Sequence, residues 1–337
     1  MKKIGNIYGL LSGITWALYT IILYTLLNLY KNSKGDLLTK EGIIFILLTT
    51  ILISIVDMSF SVIFELMVLK KYSLIKELKK VLFSKQGFGI IPAAILAGPF
   101  GLLPYAIASS ESASVAGALS SLYPVIGAIA TFLIFKEKLG KIKILGGLIS
   151  ILGVVYINQF EFVNPIIYII ALIPAFGWGL EAVFGYKLMK NDVNPIVTIT
   201  IRHIYSILIL ILSLLVILFI VKDYSYVLDF YRGIEISSNF NFIGNSLTWI
   251  VFLVGSFVGG SSYILWYVSM NYLSVAPAMI LNISYVLWIP IISMLPPFNQ
   301  KIDHTTLIGC IIIFIGTSIV ILGDLKSNKV EKRGEIQ

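Results

Sequence analysis

Four ionisable side chains lie within long apolar stretches of this sequence: Asp57, Glu181, Arg202 and His203. A charge inside a membrane-spanning segment costs roughly 2.5–3.5 kcal/mol or more, so each needs a partner or a task. Glu181 and Arg202 fall in consecutive apolar segments joined by a short loop, so both fit at one depth and can pair. Such a pair can be structural, since it avoids an uncompensated buried charge. It can equally bind a solute carboxylate or respond to protons. Asp57 is the best single candidate for proton coupling, as a lone acid in an apolar helix; snorkelling or pairing in a helix longer than the bilayer needs is the competing reading. His203 belongs to the residue type that titrates near neutral pH, although a lone histidine is more often a packing residue. Glu111 stands among serines at a turn, where solvation accounts for it. Glu65 and Glu137 lie beside basic turns, whose lysines or helix ends can meet them.

Beside these charges stand aromatic and amide groups. Trp16, Tyr19, Tyr105, Tyr123, Trp178, Tyr263, Trp266, Tyr267 and Tyr285, with Ser120 and Asn282, are the candidate solute contacts. Flat apolar faces with a few hydrogen-bonding groups suit a small, flat or amphipathic solute. For any one of these aromatics, a lipid-facing or interfacial position is the competing reading. No catalytic set accompanies them. The two histidines, His203 and His304, are far apart, and the single cysteine, Cys310, sits in an apolar run. Neither a metal-ligand spacing nor HExxH occurs, and no GxxxxGK[ST] loop is present to bind ATP. No cofactor, metal or enzymatic activity is expected.

The elements that position these residues follow from composition. Of 337 residues, 58% are hydrophobic and 12% charged, against roughly 25% charged in soluble domains. Lipid must therefore be the main solvent. The net charge of +8 lies in short clusters between apolar runs, which marks topology rather than nucleic-acid binding. The opening Lys2-Lys3 and apolar stretch is too long for a signal-peptide core and reads as a first spanning helix.

Ten segments meet or approach the roughly 20 apolar residues a crossing requires: 4–30, 42–67, 88–109, 112–135, 144–158, 165–188, 195–221, 247–270, 274–295 and 305–322. With a cytoplasmic start, 18 Lys or Arg fall on the cytoplasmic side and six opposite, Arg202 lying within a helix. That asymmetry fits both termini cytoplasmic, in the inner membrane. Segment 72–86 has Leu74, Leu78, Val81 and Leu82 on one face and reads as a helix on the inner surface, or else a tight solvated loop. The stretch 222–246, rich in Tyr and Phe, suits the outer interface.

The sequence also repeats. SVAGA at 114–118 matches SVAPA at 274–278; GITWAL around Trp16 matches AFGWGL around Trp178; Gly146 and Gly153 match Gly309 and Gly316. The offsets of 160, 162 and 163 are nearly constant. A duplication gives repeats at 1–160 and 161–325 and a cytoplasmic tail at 326–337. Five helices is an odd number, so the halves are inverted, the architecture of alternating access. Broken helices in equivalent places mark the solute site. Pro99 and Pro104 in the third segment, Gly259 and Gly260 in the eighth, and Pro124 in the fourth are the candidate hinges.

Residues 112–157, with Pro124, Glu137, Gly146 and Gly153, resemble the EamA-type carriers of the drug/metabolite transporter superfamily. Trp16 and Trp178 match the tryptophan in the first helix of each half, and Arg202 sits where that family often carries an arginine. PPFNQKID at 296–303 departs from it, leaving Glu137 without a twin. The resemblance implies an all-α, ten-helix carrier with membrane lipid around it, and a small solute as its partner. Amino acids, nucleosides, sugars and drugs are all handled somewhere in the superfamily, and an exporter or flippase of amphiphiles is the alternative. Protons are the candidate coupling ion, and one chain can be complete as a monomer. A channel would repeat around a pore by oligomer symmetry, and a membrane enzyme would cluster its catalytic groups.

Overall fold

The computed structural model describes residues 2–31, 40–111, 116, 119–137, 139–158, 165–222, 246–295 and 304–334. Expectations for the connection around 223–245, for the turn at 296–303 and for the Glu111 side chain lie outside what is described. Every regular element among the described residues is helical. In order they are α1 (Lys2–Lys31), α2 (Lys40–Lys71), α3 (Ile75–Leu82), α4 (Lys85–Phe88), α5 (Ile91–Ala97), a π-helical turn (Gly98–Leu102), α6 (Leu103–Glu111), α7 (Tyr123–Phe135), α8 (Lys141–Asn158), α9 (Pro165–Met189), α10 (Pro195–Val221), α11 (Ser246–Leu273), α12 (Val275–Asn282), α13 (Tyr285–Ser293) and α14 (His304–Gly334). Six stretches among the described residues are long and apolar enough to cross a membrane: 50–71, 85–108, 165–189, 195–221, 275–292 and 304–323. Leu212, Leu215, Phe219 and Ile220 of α10 and Phe314 of α14 lie exposed. Lipid tails solvate such faces, while the helices satisfy their own backbone groups.

Small residues bring the helices together. Along α1, Gly5, Gly9 and Gly13 recur every fourth residue, and a Cβ on Gly5 would lie 2.7 Å from Leu273 Cγ, one on Gly9 2.8 Å from Leu281 Cβ. Serines then tie α11 to the α1 backbone: Ser262 donates to the Ser12 carbonyl at 2.8 Å and Ser269 to the Gly5 carbonyl at 2.9 Å. Helices α8 and α14 approach as closely. A Cβ on Gly146 would stand 2.7 Å from the Gly316 carbonyl oxygen, and one on Gly153 2.9 Å from that of Gly309. Small faces of this kind let dispersion and weak polar contacts drive association where no hydrophobic effect operates.

The segment 72–86 forms α3 and α4 and packs on the end of the bundle. Leu78 and Val81 are buried with α2 and α10 side chains, and Leu74 and Leu82 pack beside them. Glu77 accepts the Asn194 backbone N–H at 2.7 Å, and Tyr205 donates to the Leu82 carbonyl at 2.5 Å. Helix α14 continues to Gly334, through positions expected to be a tail.

The third segment breaks at the π turn that holds Pro99, and Pro104 stands at the second residue of α6. The expectation of a matching break in the eighth segment is not met, because α11 runs unbroken through Gly259 and Gly260. Those glycines make room instead. A Cβ on Gly259 would meet the Tyr19 ring at 2.9 Å, and one on Gly260 would lie 3.3 Å from Ser61 Cβ. The matching breaks fall in the fourth and ninth segments, at turns over 121–122 and 283–284. Tyr123 and Tyr285, 162 positions apart, each open the helix that follows. Pro124 therefore starts α7 rather than kinking it, since a first-turn proline leaves no intrahelical hydrogen bond unmade.

Candidate functional site

Asp57 sits in the middle of α2, half-buried, and accepts two hydrogen bonds. The Tyr19 hydroxyl donates to Oδ2 at 2.7 Å and the Ser256 hydroxyl to Oδ1 at 2.7 Å. Tyr19 reaches it because Gly259 leaves space for the ring. No ion pair to Asp57 occurs among the described residues. Among the described residues its hydrogen-bond partners are these two hydroxyls.

From Tyr19 a run of aromatic rings crosses to the charged helices. Trp16 stands 5.1 Å from Tyr19 and edge-on to Tyr263 at 5.3 Å. The Arg202 guanidinium lies 4.9 Å over the Tyr263 ring, and the His203 ring meets Tyr263 edge-on at 4.9 Å. Arg202 Nε stands 2.7 Å from Glu181 Oε1, with both side chains about 1% exposed. The approach is a charge contact off the N–H direction. Arg202 Nη1 and Glu181 Oε2 make no hydrogen bond among the described residues. His203 Nδ1 lies 2.7 Å from Glu65 Oε1, equally buried. Glu65 is thus not at a basic turn, as its sequence neighbours suggest; its place on α2 turns it inward toward α10.

A second aromatic group forms around Trp178. Trp178 stands 5.2 Å from Tyr105 and edge-on to Tyr123 at 6.4 Å. The π turn and α9 meet through glycines, a Cβ on Gly177 lying 3.0 Å from Gly101 Cα, and one on Gly101 lying 2.8 Å from Trp178 Nε1. Gly101 therefore fixes where the indole sits. The Tyr123 hydroxyl donates to Asn282 Oδ1 at 2.9 Å, and Asn282 Nδ2 donates to Ser12 Oγ at 3.0 Å. Tyr123 is within electrostatic reach of Tyr263, Tyr285 and Glu181, and Tyr285 of Tyr105, so the two aromatic groups lie near one another. Trp16, Tyr19, Asp57, Tyr105, Trp178, Tyr263 and Tyr285 all keep part of their surface accessible.

Other expected contacts lie elsewhere. Trp266 and Tyr267 are buried in the central packing cluster, and Ser120 is buried beside the turn in the fourth segment. Glu137 meets Lys190 at 2.9 Å and accepts from the Tyr186 hydroxyl at 3.3 Å. That carboxylate holds the Lys190 ammonium above its ordinary range. Sequence reasoning missed Ser256 and Ser12, whose only signal is a small polar residue at helical spacing from a glycine.

Protein LicB of Haemophilus influenzae (strain ATCC 51907 / DSM 11121 / KW20 / Rd) is 26% identical over 235 residues, which cover 68% of this chain and 73% of that protein. A solved crystal structure matches with a TM-score of 0.66 at 14% identity, covering 94% of this chain and 97% of its own, a likeness of fold alone. The EamA-like transporter family matches twice, over residues 3–159 and 165–322. The chain is a multi-pass membrane protein of the EamA-like transporter family.

Proposed function

We propose that this chain is a secondary carrier that binds one small organic solute between two inverted five-helix halves, 1–160 and 161–325, and moves it across the cytoplasmic membrane by alternating access. Ten crossings with both termini and the 326–337 tail cytoplasmic agree with the lysine-rich turns and with the paired breaks before Tyr123 and Tyr285. A single chain carries both halves and works as a monomer.

Among amino acids, nucleosides, sugars and amphiphilic drugs, the site favours a solute bearing an organic ammonium group. The observation that carries this is Asp57, a carboxylate held by the Tyr19 and Ser256 hydroxyls and paired with no base among the described residues. Glu181 and Glu65 already face Arg202 and His203, so Asp57 is the buried acid without a basic partner among the described residues, beside aromatic rings. An ammonium gains both from that charge and from the faces of Trp16, Tyr19 and Tyr263. A neutral sugar would leave the charge unmet.

Purified protein screened by thermal shift against amino acids, nucleosides, sugars, primary amines and quaternary ammonium salts tests the reading, since a bound ligand raises the melting temperature by mass action. Stabilisation by amines, lost in Asp57→Asn, is expected. Stabilisation by a neutral sugar or nucleoside that survives Asp57→Asn would overturn the choice of solute.

A further inference from the structure

Solute binding at Asp57 leaves one titratable pair without a task. Glu65 on α2 and His203 on α10 meet at 2.7 Å with 0% and 1% of their side chains exposed. Glu65 Oε2 has no hydrogen-bond partner among the described residues. A structural pair in an apolar bundle has little to recommend it, since well-packed apolar side chains would hold α2 to α10 at least as well. A pair that exchanges a proton has another use. With the carboxylate ionised and the imidazole neutral, Nδ1–H donates to Oε1 and the pair carries one negative charge. One added proton gives imidazolium beside carboxylate, or neutral imidazole beside carboxylic acid, and the pair becomes neutral. The contact survives in either state and only the charge changes.

Resting on the carrier reading above, we infer that Glu65 and His203 form a proton-binding site that is distinct from the solute site at Asp57 and couples the two fluxes. The groups that face it come from every packed helix. Arg202 neighbours His203 on α10, Asp57 and Glu65 lie on α2, Glu181 on α9, and Tyr263 and Tyr267 on α11. Tyr263 is the link, because one ring carries the His203 edge and the Arg202 guanidinium, both at 4.9 Å, and touches Trp16 of the solute wall. With His203 neutral, Asp57, Glu65 and Glu181 face only Arg202, so the region holds two surplus negative charges. A proton on the pair and an ammonium at Asp57 remove both. Because the two sites are separate, proton and solute occupy them together and travel in the same direction, one for one. In this conformation the pair is sealed from solvent, so its proton exchanges only after α2 and α10 rearrange.

The experiment uses proteoliposomes and radiolabelled tetramethylammonium, the smallest quaternary probe that an aromatic cage takes. Counterflow is measured first, then accumulation under an inward proton gradient. The proposed cycle carries two positive charges, so valinomycin with equal potassium on both sides holds the membrane potential at zero; the wild type is then expected to show counterflow and to concentrate the probe about tenfold per pH unit of gradient, the ratio for one proton per solute. Glu65→Gln and His203→Gln are expected to keep counterflow, which also shows that they fold, and to lose accumulation. No counterflow in the wild type would reject the ammonium-carrier reading itself. Counterflow without any response to the gradient would reject the proton site alone, as would variants that still accumulate. Loss of counterflow in both variants would show that the pair holds the structure together, and would overturn the inference too.

Discussion

Arg202 Nε lies 2.7 Å from Glu181 Oε1, and neither side chain reaches solvent. Removing one partner of such a pair costs about 3–5 kcal/mol, because the other charge stays buried alone, while replacing both with apolar groups is often neutral. Glu181→Leu and Arg202→Met are each expected to lower the melting temperature strongly, and the double variant to recover most of the loss. Thermal unfolding of the detergent-purified proteins checks this. Additive losses in the double variant would mean that the two residues act independently.

Asp57 offers a cleaner separation of charge from shape. Asparagine can still accept from Tyr19 or Ser256, so Asp57→Asn is expected to fold and to bind amines at least about tenfold more weakly, or roughly 1.4 kcal/mol. Tyr19→Phe removes one hydrogen bond to the carboxylate, and a smaller loss of about 1 kcal/mol is expected. Titration calorimetry on both variants measures the ratio.

Gly101 touches no solute in this arrangement, yet it should control affinity. A Cβ there would stand 2.8 Å from Trp178 Nε1 and 2.9 Å from the Leu96 carbonyl oxygen. Gly101→Ala is expected to push the indole off Tyr105 and weaken binding nearly as much as Trp178→Ala. Binding curves for the two variants, compared side by side, test whether the glycine acts through the tryptophan.

Glu137 and Lys190 are exposed by 30% and 49%, so their bridge is worth at most about 1 kcal/mol. Glu137→Gln is expected to move the melting temperature by a degree or two and to do so less at high salt. A fall of ten degrees would show that this contact holds the end of the bundle closed.

Much of the fold was legible because a crossing leaves a long apolar run, and a duplication leaves a constant offset. Trp16 and Trp178, 162 positions apart, each stack in a cluster of tyrosines, Trp16 with Tyr19 and Tyr263 and Trp178 with Tyr105 and Tyr123. Glu181 and Arg202 could be joined because their segments are consecutive, which fixes depth within a turn or so. Glu65 and His203 could not, since 138 positions separate them and the rotation of each helix about its axis decides which residues meet. Helix α2 does carry a polar stripe, Thr50, Ser54, Asp57, Ser61 and Glu65 at helical spacing, which marks an inward face but not which residue of a distant helix meets it. Gly259 and Gly260 were misleading for a related reason. Glycine marks a bend and a close approach equally well in sequence, and only the neighbouring Tyr19 ring shows which one operates.

The seam between α8 and α14 has a reciprocal pattern. Gly146 meets Gly316 while Gly153 meets Gly309, and in the repeat Gly146 corresponds to Gly309 and Gly153 to Gly316. Each glycine therefore contacts the counterpart of the other glycine on its own helix, with the two helices antiparallel. That is the signature of an isologous two-fold contact, normally made between identical subunits. The seam thus carries within one polypeptide the contact geometry of a homodimer, with one pair of small residues serving twice.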